Sequence, residues 1–198
     1  MIGQFGTIAN QLTLLRLVFI PFIIINILDA NYGWALGLVI AAGLSDGLDG
    51  LLARMLNQRT LLGEYLDPIA DKLLLSSLFL VLSFMHKIPW RFTVLVFTRD
   101  IGILVVSAVL YVAVGLRNFR PSIFGKLNTA AQIGAVFFVI LFELHSNPVL
   151  FIIKRLFLWL TFLFTLLSGI HYIYLVEQRM KAQSQARTAE KIATTLDS

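Results

Sequence analysis

The chain contains no cysteine. No disulfide can staple it, and no thiolate can hold a metal. The absence says little about compartment, because a lipid-embedded helical bundle rarely needs staples. Histidine is scarce: His86, His145 and His171 are the whole set, which argues against a zinc site. Charge is scarce as well, at 14% of 198 residues. The opening residues MIGQFGTIANQ lack a charged n-region, so no cleavable signal peptide is expected. The first hydrophobic span is expected to act as an uncleaved anchor. What is abundant is apolar surface: 58% hydrophobic residues, including 16 phenylalanines, with a mean hydropathy of +0.84. That is too apolar for a soluble domain and indicates a polytopic membrane protein.

A transmembrane helix needs roughly 20 apolar residues. Six segments qualify, at about 11–30, 33–56, 61–85, 90–115, 123–145 and 149–176. Turn-forming stretches separate them: Asp29–Gly33, Asn57–Thr60, His86–Pro89, Arg117–Pro121 and His145–Pro148. The expected fold is all-α, with six transmembrane helices; the first ten residues could form a short interfacial helix. Residues 1–180 read as one membrane domain, and 181–198 as a polar, flexible cytoplasmic tail. No internal repeat is evident.

The formal charge of +5 does not require a nucleic-acid partner, because the basic residues fall in short loops and the tail. With both termini cytoplasmic, the inner side carries Arg54, Arg59, Arg117, Arg120, Lys126, Arg179, Lys181, Arg187 and Lys191. The outer side carries only Lys87, Arg91, Lys154 and Arg155. The positive-inside rule thus explains the surplus. Arg16, Lys72 and Arg99 remain inside spans, where a cation must be paired or functional. The plain alternative for Arg16 is a side chain that snorkels towards headgroups. Lys72 and Arg99 adjoin Asp71 and Asp100, but sequence neighbours do not face each other on a helix. Trp34, Trp90 and Trp159 read as interfacial anchors, and Glu143 as interfacial rather than catalytic.

One stretch breaks the apolar pattern. Residues 45–72 read SDGLDGLLARMLNQRTLLGEYLDPIADK. Asp46 and Asp49 are three apart and Asp67 and Asp71 four apart, so each pair shares one helical face. Four carboxylates converging inside a membrane protein would repel and desolvate at great cost unless cations hold them. The first hypothesis is therefore a divalent-metal site. The competing one is a cation or proton pathway, as in a cation-coupled transporter.

The spacing Asp46-x2-Asp49-Gly50-x2-Ala53-Arg54-x8-Gly63-x3-Asp67-x3-Asp71 resembles the signature of the CDP-alcohol phosphatidyltransferases at every fixed position. The resemblance extends to Asn10-x2-Thr13-x2-Arg16 upstream, and to Arg99-Asp100 and Pro121-Ser-Ile-Phe-Gly-Lys-Leu-Asn-Thr-Ala downstream. It implies a metal-dependent enzyme of phospholipid biosynthesis in the bacterial cytoplasmic membrane, a homodimer with its active site facing the cytoplasm. The donor it implies is CDP-diacylglycerol. Two Mg2+ or Mn2+ ions would be held by Asp46, Asp49, Asp67 and Asp71, with Asp71 also the general base on the acceptor hydroxyl. Gly50, Ala53, Arg54 and Gly63 would receive the CDP-lipid, and Asn10 and Thr13 the cytidine. Taken alone, the two glycines read as helix-packing residues.

The acceptor is less sharply written. Glycerol-3-phosphate is favoured, and its phosphate would sit among Arg99, Arg117, Arg120 and Lys126. The alternative acceptor is phosphatidylglycerol, giving cardiolipin; the Gly125–Gln132 run resembles that branch of the family too.

Overall fold

The computed structural model describes residues 8–55, 61–114 and 123–196, and side chains over 14–45, 70–106, 123–178 and 180. Six helices account for nearly all of them: α1 (Ile8–Leu28), α2 (Tyr32–Met55), α3 (Leu61–Phe84), α4 (Trp90–Val114), α5 (Ile123–Leu144) and α6 (Pro148–Leu196). No strand occurs among the described residues.

Three of the breaks read from sequence, at 29–33, 86–89 and 145–148, do end helices, and their local chemistry shows why; those at 57–60 and 117–121 lie outside the described residues. The α1–α2 and α3–α4 turns close with residues in the left-handed region, Ala30 at φ 56° and His86 at φ 57°. Asn31 N–H donates back to Asn26 and Lys87 N–H to Leu82, each at 2.8 Å, satisfying carbonyls that the helix ends would otherwise leave bare. At the α5–α6 turn, Asn147 caps α6 by accepting from Val149 N–H at 2.8 Å. Pro148 opens that helix where its missing N–H costs nothing.

Two segments are long and apolar enough to cross a membrane on length and composition: Ile123–Leu144 and Pro148–Gln178. Leu14–Leu28 and Tyr32–Ser45 are shorter apolar stretches. The expectation of six spans is therefore met as six helices, two of them span-capable by that measure among the described residues. A physical reason lies in α2 and α3, whose charged motif residues interrupt the apolar run. The other difference is at the C-terminus: α6 does not stop near Lys181 but continues to Leu196. The tail is polar, yet rich in Ala, Gln, Lys, Glu and Arg, which favour helix over coil. The first seven residues, with most of the proposed interfacial helix, lie outside the described residues.

α1 packs against α2 and α3, α5 against α6, and α4 against α6 and α3, while α5 also meets α2 and α3. Ile23, Ile27, Leu78, Phe79, Leu82, Val136, Val139 and Ile140 fill the core they share. Small residues bring the backbones together, as in other membrane bundles. Ala35 and Ala42 are fully buried on one face of α2, seven residues apart. On α5, a Cβ added to Gly134 would lie 2.2 Å from Phe157, which stacks on Phe138 at 4.9 Å between centroids. Gly134→Ala should therefore lower stability by about 1–3 kcal/mol, read from thermal unfolding in detergent. An unchanged midpoint would mean that Phe157 swings aside at no cost.

At the turn end of the bundle, Glu143 accepts from Lys87 at 2.5 Å and lies 3.7 Å from Lys154. The bond to Glu143 holds the Lys87 pKa above its ordinary 10.5. The Lys154 ammonium sits 3.5 Å over the Phe142 ring. Glu143 is thus a clasp between α5, α6 and the α3–α4 turn. Trp34, Trp90 and Trp159 are all exposed.

Candidate active site

Backbone placement puts the motif on two helices. Asp46, Asp49, Gly50, Ala53 and Arg54 occupy the last turns of α2, and Gly63, Asp67 and Asp71 the first turns of α3. The heptad step from Ala35 to Ala42 continues to position 49, so Asp49 belongs to the face of α2 that is buried higher up. Asn10 and Thr13 stand in the opening turns of α1. The side chains of these residues, Asp71 excepted, lie outside the described set. Arg117 and Arg120 lie outside the described residues altogether.

Asp71 is the motif carboxylate whose surroundings are described. It is 43% exposed, and it pairs with the Arg16 guanidinium from α1, which is only 1% exposed. Arg16 is therefore paired inside the bundle rather than snorkelling outward. A buried guanidinium keeps its charge, and the carboxylate 55 residues away meets it.

On α4, Asp100 draws in two cations. Lys72 Nζ and Arg99 Nη1 both lie 2.7 Å from its Oδ1. Arg99 also donates to the Ser168 hydroxyl on α6. The expectation that sequence neighbours would not pair holds for Lys72, which reaches Asp100 across helices. It fails for Arg99, whose long side chain curls back to the adjacent carboxylate. Of the four acceptor-phosphate candidates, Arg99 is thus engaged inside the bundle, and Lys126 stands exposed on the first turn of α5.

Beyond Ser168 the polar path continues. Thr165, one turn back on α6, donates to Asn128 Oδ1 at 2.8 Å. Asn128 and Gln132 are fully buried on α5. Sequence reasoning quoted both only within a resembling run; their signal was an amide pair four residues apart in an apolar helix. Among the described residues no three acidic or histidine side chains come close enough to hold a metal.

A family model for CDP-alcohol phosphatidyltransferase matches residues 6–167. The chain belongs to the CDP-alcohol phosphatidyltransferase family. It is a membrane-bound transferase of phospholipid biosynthesis, and nothing supports a transporter. Among its relatives is a probable phosphatidylglycerophosphate synthase of Mycobacterium tuberculosis, 34% identical over 86% of this chain and 82% of its own length. The CDP-diacylglycerol–glycerol-3-phosphate 3-phosphatidyltransferase of Bacillus subtilis is 32% identical over 83% of this chain and 92% of its own. A human CMP-forming cardiolipin synthase is 34% identical over 64% of this chain and 48% of its own.

Proposed function

We propose that the chain transfers the phosphatidyl group of CDP-diacylglycerol to a hydroxyl of glycerol-3-phosphate. The observation that carries this reading is the two-helix carboxylate motif with a buried arginine against Asp71. The acceptor is supported by two relatives that align along most of their lengths with this chain, one named for phosphatidylglycerophosphate and one for glycerol-3-phosphate.

The donor set fits hard divalent ions: four carboxylates, paired three and four residues apart on α2 and α3. The described one, Asp71, already sits against a cation, as an ionised carboxylate should. Two Mg2+ or Mn2+ ions held by Asp46, Asp49, Asp67 and Asp71 would neutralise the diphosphate and acidify the acceptor hydroxyl. The protein's own groups do the rest. Asp71 takes the hydroxyl proton as the acceptor oxygen bonds to the β-phosphorus, and the bond from that phosphorus to CMP breaks. Arg16 fixes the Asp71 carboxylate in place. Arg54 balances the diphosphate charge. Gly50, Ala53 and Gly63 leave room for the nucleotide beside the backbone, and Asn10 and Thr13 bind cytidine. Lys126, Arg117 and Arg120 receive the acceptor phosphate. The six helices cross the cytoplasmic membrane with both termini and the motif inside, in a homodimer.

Phosphatidylglycerol as acceptor is the second reading. It is favoured by Arg99 being occupied within the bundle, which leaves fewer cations for a phosphomonoester.

Purified protein given CDP-diacylglycerol should release CMP with glycerol-3-phosphate and form phosphatidylglycerophosphate. Neutralising the correct phosphate-binding cation should raise the acceptor KM about ten- to a hundredfold and leave CDP-diacylglycerol binding nearly unchanged. Cardiolipin from phosphatidylglycerol, with no use of glycerol-3-phosphate, would overturn the first reading in favour of the second.

A further inference from the structure

Gln132 is fully buried, and neither its amide nitrogen nor its amide oxygen has a hydrogen-bond partner. Asn128, also fully buried, has an unpartnered Nδ2, its Oδ1 being taken by Thr165. An unpaired amide inside a membrane bundle is expensive, and two on one helix face four residues apart ask for an occupant.

Their level in the bundle identifies it. α2 and α5 pack antiparallel, and Gly33 faces the Leu144 side chain, which would lie 3.8 Å from an added Cβ. Thirteen residues along α2 from Gly33 is Asp46; thirteen back along α5 from Leu144 is Ala131, beside Gln132. Three more residues bring Asp49 level with Asn128. Helical rise is the same on both, so along the bundle axis the α5 backbone at the amides is about level with the α2 backbone at the paired aspartates. α1, which carries Asn10 and Thr13, meets α2 and α3 as a separate neighbour from α5. That leaves the α5 amides for the second substrate rather than for cytidine.

A carboxamide offers one acceptor and one donor group and no charge. It suits a hydroxyl, which also gives and takes a hydrogen bond, and it is a poor host for an anion. We propose that Gln132, with Asn128 one turn before it, binds the hydroxyl that the acceptor keeps, next to the one that attacks. This rests on the phosphatidyl-transfer reading. Glycerol-3-phosphate and the headgroup of phosphatidylglycerol both present such a 1,2-diol: one oxygen becomes bonded to phosphorus and its neighbour stays a free hydroxyl. Gln132 is in this sense a specificity residue for glycerol over simple alcohols, whichever acceptor is used.

The experiment compares CMP release by the full-length protein with four acceptors: glycerol-3-phosphate, 3-hydroxypropyl phosphate, phosphatidylglycerol and phosphatidyl-1,3-propanediol. The second and fourth lack only the retained hydroxyl. On whichever glycerol acceptor is used, the wild type should lose about ten- to a hundredfold in kcat/KM when that hydroxyl is removed. Gln132→Met, of similar volume, should lose a comparable factor on the glycerol acceptor and stay within about twofold on its deoxy analogue, so the ratio falls towards one. A wild type that uses both alike overturns the hydroxyl site without touching phosphatidyl transfer, and needs no variant to fold. So does Gln132→Met slowing both acceptors equally, which marks a purely structural amide. No CMP with either glycerol acceptor brings down the transfer reading and this site together.

Discussion

Asp46→Asn and Asp67→Asn should each reduce CMP release by at least about a thousandfold, while the protein still inserts and elutes as folded. The expectation comes from charge, not position alone. Two carboxylates on α2 and two on α3 can be tolerated at membrane depth only with cations among them. An amide in place of one carboxylate keeps the shape and removes a hard anionic ligand. Chelation by EDTA should have the same effect as the substitutions, and Mg2+ or Mn2+ should reverse it. Undiminished turnover in metal-free buffer would rule out the ions, leaving Arg54 to neutralise the diphosphate.

The second large effect is on stability. Asp100→Asn should destabilise the bundle by about 3–5 kcal/mol, because one buried carboxylate answers two cations, Lys72 and Arg99. Removing it leaves both facing an amide that cannot balance either. Ser168→Ala, which takes away one neutral partner of Arg99, should cost only about 1–2 kcal/mol. Denaturant titration in one detergent can rank the two. Equal losses would show that Asp100 is hydrated and that Lys72 and Arg99 do not depend on it.

The helices were legible in the chain because their signals are local. Turn residues such as Asn31, His86 and Asn147 end apolar runs within a few residues of where the structure ends helices. The motif was legible because it is contiguous and its spacing is helical. What could not be read is what packing decides. No sequence rule pairs Arg16 with Asp71, or sends Lys72 past its neighbour to Asp100, because those contacts depend on which helices become adjacent. The extension of α6 to Leu196 was not read for the opposite reason: the polarity of the tail masks its helix propensity. The Asn128–Gln132 pair was hidden by ordinariness, since amides on a membrane helix stand out only once their partners can be counted.

The Arg16–Asp71 pair also sets an order of events during synthesis. On the proposed six-span topology the ribosome makes α1 first, so its guanidinium must approach the bilayer before the carboxylate that will neutralise it has been polymerised. A charge at helix mid-depth resists stable insertion on its own. The first segment should therefore linger at the lipid edge or the insertion machinery until α3 emerges, and the three N-terminal helices should enter the membrane as one cooperative unit.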